Sequence, residues 1–362
     1  MRFFLFATAC LLSLHLACGR RDRGGGVPTG ADSGITATDT MVAEVGVEVG
    51  GEAGTPAVEV GPSADPPRPS GGCESPRGTY GPGTRSGSIT SGGRLRTFQV
   101  HVPTAYDPAR PHPLLLLFHG GLGTGTQMES SSQMSPIADR EGFLAVYPDG
   151  ISRTWNAGGC CGPAMEQNID DVAFVSDLLT HLEAELCVDR RRIHASGMSN
   201  GAMFVHRLGC DLSARVAAIA PVAGTNMTTL CAPVRPVPVL HVHGSQDKHV
   251  PWEGGVGCGL ANVPTTGVPE TIAGWRLRNT CADAAPSLLL EQGNGRCERQ
   301  GSCPPGAEVV LCTIDGGGHS WPGGPSDGVS LPACERAGDG AHSRTFLASE
   351  QIWSFLRDRR LP

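Results

Sequence analysis

Six short apolar runs, each ending at a glycine-containing turn, constrain the fold of this 362-residue chain most strongly. Their apolar residues follow one another with little alternation, as expected for parallel strands that are covered on both faces of a sheet. RTFQVHV instead alternates and places Phe98, Val100 and Val102 on one face, which predicts a half-buried antiparallel strand. The six runs are PLLLLFHGG, FLAVYPDG, RRIHASG, VAAIAPVAG, PVPVLHVHG and EVVLCTIDGGG.

Helical patterns lie between these runs. DDVAFVSDLLTHLEAEL is amphipathic, with Asp170 or Asp171 available as its N-cap, and FLASEQIWSFLRD near the C-terminus is a second such segment. Strands that alternate with helices predict an α/β fold, in which a mostly parallel, doubly wound sheet carries helices on both faces. The apolar stripe of the first helix consists of Val172, Val175, Leu179, Leu182 and Leu186.

The N-terminus has the features of an export signal. One Arg precedes an apolar run from Phe3 to Leu14, which is too short to span a bilayer comfortably. The run leads into HLAC, which resembles a bacterial lipoprotein cleavage box with Leu14 one residue early. We predict a signal peptide of lipoprotein type over residues 1–18. Lipidation of Cys18 and a membrane tether are favoured over simple secretion, and both place the protein outside the cell or on its surface.

Residues 19–72 differ in composition from the rest of the chain. They are rich in Gly, Pro, Val and Glu and contain no aromatic residue, so they cannot build a core. We predict a disordered linker over 19–72 and a catalytic domain over 73–362. The net charge of −7 argues against a nucleic-acid partner, because such a partner requires a cationic face.

The cysteines favour an oxidising compartment. The chain has 14, and an even set of 12 remains after Cys10 and Cys18 are set aside. Because no C-x-x-C pair occurs, we favour disulfides over zinc, with the pairing left open. We expect the adjacent Cys160 and Cys161 to bind remote partners. The 12 residues are Cys73, Cys160, Cys161, Cys187, Cys210, Cys231, Cys258, Cys281, Cys297, Cys303, Cys312 and Cys334.

GMSNG, between a short strand and a helical segment, makes Ser199 a candidate nucleophile. In a strand-turn-helix, flanking glycines allow the tight turn that exposes a serine hydroxyl at the carboxyl edge of a sheet. A serine needs a general base and an orienting acid. Asp247 and His319 each follow a late strand and occur in the order nucleophile, acid, base, so we assign them these roles. Asp171 is the main rival acid.

Two backbone amides are candidates for an oxyanion hole. The N–H of Asn200 lies at the start of the helix after Ser199, and the turn after LLLLF offers a second donor. We select Gly121 for this second donor, with Leu122 as the near alternative. His241 and His243 are interpreted as packed strand residues, and His249 as a loop residue.

Several motifs together resemble one family of secreted α/β-hydrolases, the polyhydroxybutyrate depolymerase and feruloyl esterase (LpqC-like) group. The resemblance covers roughly residues 85–358. It implies an α/β-hydrolase fold, serine-dependent hydrolysis of a polyester or plant cell-wall ester, and no cofactor or metal. By motif match, Ser199, Asp247 and His319 form its triad. The motifs are HGG at 119, WNAGGCCG, NIDDVAF, GMSNGAM, IAPVAG, HVHGSQD and GGGHSWPGG.

Two features bear on the substrate. Trp155 and Trp321 lie in loops beside the catalytic motifs, so they and Asn156 are candidate substrate contacts. Packing that holds these loops in place is an equally good interpretation of the two tryptophans. The insertion CERQGSC and the loop after the His319 motif depart from the family pattern and weaken any assignment of substrate. The alternatives from other classes are a non-catalytic lipid-anchored binding protein and a peptidase on the same scaffold.

Overall fold

The protein is described by a computed structural model that covers residues 66–74, 78–259, 262–325 and 331–362. Ten of the strands in these residues form one sheet and two form a small hairpin. The strands are β1 Gly83–Ser91, β2 Arg94–Val102, β3 His112–Phe118, β4 Leu144–Pro148, β5 Val188–Met198, β6 Ala218–Val222, β7 Val239–Gly244, β8 Gly255–Val256, β9 Pro264–Thr265, β10 Ser287–Gln292, β11 Gly295–Arg299 and β12 Val309–Ile314.

The large sheet is parallel at its centre and antiparallel at its edges. Its order is β1-β2-β4-β3-β5-β6-β7-β12-β11-β10. The six strands from β4 to β12 in that order pair in parallel, and the two strands at each end pair antiparallel. Because the carboxyl ends of the parallel strands meet at one edge, the loops that follow β3, β5, β7 and β12 converge there.

Helices cover both faces of this sheet. Successive residues of β3 show the division: Leu116 packs in a core with Phe204 and Trp275 on one face, whereas Leu117 packs in a core with Met128 and Ile352 on the other. Both leucines are fully buried, so each stabilises the fold by about 2 kcal/mol. The helices are α1 Gly125–Ser132, α2 Met134–Glu141, α3 Gly162–Glu166, α4 Asp171–Glu185, α5 Asn200–Asp211, α6 Val268–Arg278, α7 Pro332–Arg336 and α8 Ala348–Leu356.

These elements confirm the α/β prediction. The alternating run is β2, which pairs antiparallel with both its neighbours. Asp170 is the N-cap of α4, and its carboxylate accepts the N–H of Ala173 at 2.9 Å. The predicted stripe on α4 is shifted, because Phe174 and Leu178 are buried and Val172 is only partly buried. The C-terminal amphipathic segment is α8.

The structured domain begins before residue 73. Residues 66–72, which the composition assigned to the linker, lie against β5. Ser70 Oγ donates to Leu186 O at 2.8 Å, and Arg68 N donates to the Asp189 carboxylate at 3.1 Å. The predicted signal peptide, Cys18 and the linker up to residue 65 lie outside the described residues. Within the described ranges, no helix is long and apolar enough to cross a bilayer.

All twelve cysteines of the domain are paired as disulfides, which the sequence predicted as a set but not as pairs. Cys160 and Cys161 are bonded to each other, so the prediction that they bind remote partners is wrong. The physical reason is that the other ten cysteines are already paired among themselves. The pairs are Cys73–Cys187, Cys160–Cys161, Cys210–Cys231, Cys258–Cys334, Cys281–Cys303 and Cys297–Cys312.

Candidate active site

Ser199 occupies the turn between β5 and α5 at the carboxyl edge of the sheet. Its backbone has φ 55° and ψ −123°, a conformation that residues other than glycine rarely adopt. The turn packs closely against Phe118, because a Cβ added to Gly197 or Gly201 would collide with the Phe118 carbonyl. The Ser199 N–H donates to Val222 O at 2.9 Å, which attaches the turn to β6.

The three side chains selected from the sequence form one hydrogen-bonded row. His319 Nε2 lies 2.9 Å from Ser199 Oγ. On the other side of the ring, His319 Nδ1 lies 2.8 Å from Asp247 Oδ2. Because a carboxylate only accepts hydrogen bonds, Nδ1 carries the proton and Nε2 is left to accept from the serine hydroxyl. This arrangement allows the imidazole to act as a general base toward Ser199.

Asp247 is fully buried and remains ionised. Burial alone would raise its pKa, but attraction to His319 and the hydrogen bond from that ring hold the pKa below its usual range. Its second oxygen accepts the backbone N–H groups of His249 and Val250, both at 2.8 Å. A carboxylate held in this way fixes the orientation of His319 and stabilises the ring when it becomes charged.

Two amides beside Ser199 fit an oxyanion hole. The Asn200 N–H begins α5, where no intrahelical acceptor exists. Leu122, the alternative second donor, is already engaged, because its N–H donates to Arg153 O at 2.8 Å. The Gly121 N–H has no acceptor among the described residues. The turn passes very near the nucleophile, since a Cβ on Gly120 would lie 3.3 Å from Ser199 Cβ.

His119 stabilises the turn that carries Gly121. Its Nε2 accepts the Gly150 N–H at 3.0 Å, so its Nδ1 carries the proton and donates to Gly120 O at 2.7 Å. Burial lowers the pKa of His119, which keeps the ring neutral and able to make both bonds. This histidine is therefore structural.

A cavity of about 740 Å³ opens on the Ser199 hydroxyl. Its walls are mainly apolar, and they come from the β3–α1 turn, the β5–α5 turn at Ser199, the 150–163 loop and the loops around the β8–β9 hairpin. Such a cavity suits a substrate with an apolar acyl or alkyl group. Its apolar lining includes Leu122, Met128, Cys161, Pro163, Met198, Met203, Val250, Val263 and Leu331.

The candidate substrate contacts are not part of the cavity wall. Trp155 is fully buried, lies edge-on to Phe118, stacks on Phe204 and donates from Nε1 to His119 O at 3.0 Å. Asn156 Nδ2 donates to Ile169 O at 3.0 Å. Trp321 donates from Nε1 to Ser349 Oγ at 2.9 Å. All three side chains hold loops in place, so the packing interpretation replaces substrate contact.

The rival residues have other partners. Asp171 is fully buried, 2.7 Å from Arg96, and accepts the Asn156 N–H at 2.9 Å, so it does not orient His319. His241 and His243 are buried strand residues, as expected. Their rings are linked at 3.1 Å, and His243 donates from Nε2 to Val250 O at 2.9 Å.

His249 lies beside the candidate triad, a position that the sequence did not predict. Its ring lies parallel to that of His319, with the ring centroids 4.4 Å apart and an angle of 6° between the planes. It also lines the cavity. Its place two residues after Asp247 was the available signal, but a position in a loop does not reveal which way a ring points.

One group of possible metal ligands occurs among the described residues: His249, Cys258 and Cys334. The two sulfurs are joined as a disulfide, which removes their thiolate donors. The donor set therefore does not fit a resident metal.

The sequence of the chain is similar to those of several proteins named as esterases. The chain is 33% identical to feruloyl esterase B of Piromyces equi over 232 residues, which are 61% of this chain and 42% of that protein. It is 27% identical over 227 residues to the bifunctional acetylxylan esterase/xylanase XynS20E of Neocallimastix patriciarum, which are 61% of this chain and 31% of that protein. The chain is thus similar in sequence to proteins named feruloyl esterase and acetylxylan esterase over about three fifths of its length.

Other relatives of this feruloyl-esterase-like chain are more complete matches. Feruloyl esterase D of Neurospora crassa is 25% identical over 270 residues, covering 70% of this chain and 82% of that protein. Among solved structures, an acetyl xylan esterase from Aspergillus awamori matches 65% of this chain and 94% of its own, with 14% identity and a TM-score of 0.48. No protein-family model matches the chain. The chain spans less than half the length of feruloyl esterase B and of XynS20E.

Proposed function

We propose that this protein is an exported serine esterase that hydrolyses carboxylic esters through an acyl-enzyme on Ser199. The observation that carries the proposal is the hydrogen-bonded row of Ser199, His319 and Asp247, which opens on an apolar cavity. Relatives named feruloyl esterase and acetylxylan esterase support the same class of reaction.

The reaction follows from the positions of these groups. His319 Nε2 accepts the proton of the Ser199 hydroxyl as Oγ attacks the ester carbonyl, and Asp247 stabilises the imidazolium that forms. The carbonyl oxygen becomes an oxyanion and accepts hydrogen bonds from the Gly121 and Asn200 amides. His319 then returns the proton to the departing alcohol, and water activated by the same ring releases the acid from Ser199.

The substrate is an ester of the plant cell wall, such as a feruloyl or acetyl ester of xylan. The names of the relatives support this class over the polyhydroxybutyrate chain that the sequence motifs also suggest, and the apolar cavity suits the acyl group of either substrate. No metal or cofactor takes part in any step of the proposed reaction.

We further propose that the protein is exported and acts outside the cell, anchored to the membrane. Residues 1–18 direct the chain out of the cell, Cys18 carries a lipid, and the linker that follows tethers the catalytic domain to the membrane. Six disulfides in one domain support an oxidising compartment. Replacing Cys18 with Ser should move the protein from the detergent phase to the aqueous phase in a two-phase extraction.

Hydrolysis of p-nitrophenyl acetate and butyrate tests the chemistry. Ser199→Ala should abolish turnover and labelling by a fluorophosphonate probe. Ser86→Ala, which changes an exposed serine bonded to Gln99, should preserve both. Equal rates for wild type and Ser199→Ala would exclude the proposal, and so would an unlabelled wild type. A panel of methyl ferulate, acetylated xylan, short polyhydroxybutyrate and a peptide amide then identifies the preferred bond.

A further inference from the structure

A second imidazole covers one face of the proposed general base. The His249 ring is parallel to the His319 ring at a centroid distance of 4.4 Å, and its side chain is only 12% exposed. The His249 N–H donates to Asp247 Oδ1 at 2.8 Å, so the carboxylate that orients His319 also fixes the backbone of the stacked residue. The conformation of the loop after β7 therefore places the His249 ring parallel to that of His319.

The Asp339 carboxylate contacts the segments that carry both stacked histidines. Its Oδ1 accepts the Lys248 N–H at 2.8 Å, and its Oδ2 lies 3.4 Å from the His319 N and 3.7 Å from His249 Nε2. One carboxylate thus connects both histidine segments. The loop that carries Gly257 and Gly259 closes the remaining side of His249.

The charge state of His249 follows from its surroundings. Burial lowers its pKa, and the neighbouring His319 lowers it further, whereas Asp339 and Asp247 act in the opposite direction. The net shift is downward, so the His249 ring is neutral near pH 7. A neutral aromatic face attracts a cation placed over it, while a protonated ring would repel it.

We propose that His249 is a positioning residue that stacks as a neutral ring on His319, holds the plane of that imidazole and stabilises its charged form. The proposal rests on the proposed esterase function only in assigning His319 as the general base. His249 itself makes no bond to the reacting atoms. The stacked pair also explains why a largely buried histidine stands in the wall of a mainly apolar cavity.

Three substitutions separate stacking from charge. His249→Phe keeps a neutral ring and should retain kcat within about threefold. His249→Ala removes the ring and should lower kcat roughly fivefold with little change in KM, because the charged form of His319 loses its stabilising face. His249→Arg keeps a planar group but adds a permanent charge. It should lower kcat further and move the acid limb of kcat/KM down by roughly one pH unit, since a cation disfavours protonation of His319.

Titration of the His319 ring by NMR gives a measurement that does not depend on turnover. In the Ser199→Ala background, the pKa of His319 should fall from wild type to His249→Ala and again to His249→Arg, while His249→Phe stays close to wild type. An unchanged His319 titration in the Ala variant, with normal thermal unfolding, would overturn the stacking proposal. Turnover retained by Ser199→Ala would instead overturn the esterase function and leave the titration result standing.

Discussion

The side-chain amide of Asn200 is hydrogen-bonded in both directions to the backbone of Trp155. Oδ1 accepts the Trp155 N–H at 2.7 Å, and Nδ2 donates to Trp155 O at 2.9 Å. The residue that offers one proposed oxyanion donor is therefore attached to the loop that carries Cys160 and Cys161. The orientation of that donor depends on this pair of bonds.

Asn200→Ala should affect both stability and rate. It leaves the buried N–H of Trp155 without a partner and leaves Trp155 O with only the bond from the Cys161 N–H at 3.4 Å, which we expect to lower the free energy of unfolding by about 1–3 kcal/mol. A misdirected N–H should lower kcat by roughly 10²-fold. Urea unfolding and p-nitrophenyl butyrate kinetics measure the two effects. Asn226→Ala, which loses one local bond to the Thr228 N–H, is the control and should alter neither strongly. A wild-type kcat in Asn200→Ala would show that the two hydrogen bonds to Trp155 do not position the residue 200 N–H.

Substitutions of Asp247 and Asp171, which are both buried, should give opposite results. Asp247→Asn removes the negative charge that orients His319, so kcat should fall by about 10⁴-fold. Asp171→Ala leaves the buried Arg96 unpaired and should cost about 3–5 kcal/mol of stability. At a temperature where it is folded, Asp171→Ala should keep most of the activity. If Asp171→Ala loses activity to the same extent as Asp247→Asn while it remains folded, Asp171 acts in the reaction.

The order of the main elements and the central residues of the site could be predicted from the sequence. The apolar runs define the parallel strands, and the loops after parallel strands must meet at one edge, which brings residues as distant as Ser199 and His319 together. The convergence of these loops depends only on the direction of the strands and not on the details of packing. It therefore holds where the strand register is unknown.

The sequence predictions that were wrong or incomplete all concern the direction in which a side chain points. A tryptophan in a loop can face the substrate or the core, and Trp155 faces the core because Phe118 and Phe204 form a site for it there. Cysteine count indicates disulfides but not which sulfurs approach each other, so the Cys160–Cys161 bond was missed. His249 was missed for the same reason: its stacking on His319 depends on loop conformation.

The Cys258–Cys334 disulfide connects two segments of the cavity rim. Cys258 lies between Gly257 and Gly259, which line the cavity, and Cys334 lies in α7 beside the lining residue Leu331. Changing both cysteines to Ala should lower stability by about 2–4 kcal/mol and raise KM more than it changes kcat, because the wall loosens while the catalytic row stays intact.

The matched control for that pair is the double variant at Cys281 and Cys303. This disulfide lies outside the cavity lining and should change stability with KM preserved. Thermal unfolding and kinetics on p-nitrophenyl butyrate give both quantities. Equal KM values for wild type and the Cys258/Cys334 variant would show that the conformation of the cavity wall does not depend on this disulfide.

Because of His194, the free energy of unfolding should decrease as the pH falls below neutrality. It is fully buried in β5, and burial, together with Arg192, Arg359 and Arg235, lowers its pKa to about 3. The unfolded chain binds a proton near pH 6.5, so the stability from the neutral ring is complete above that pH. It is lost as the pH falls from about 6.5 toward about 3.

His194→Leu removes this titration. Between pH 4 and 6, the slope of the unfolding free energy against pH should decrease by roughly 1.4 kcal/mol per pH unit relative to wild type. Both ring nitrogens of His194 lack partners among the described residues, so the substitution removes no hydrogen bond and should not destabilise the protein at pH 7 by polar loss. Urea unfolding across this pH range measures the slope. If the slopes of wild type and variant coincide, His194 takes up its proton in the folded state.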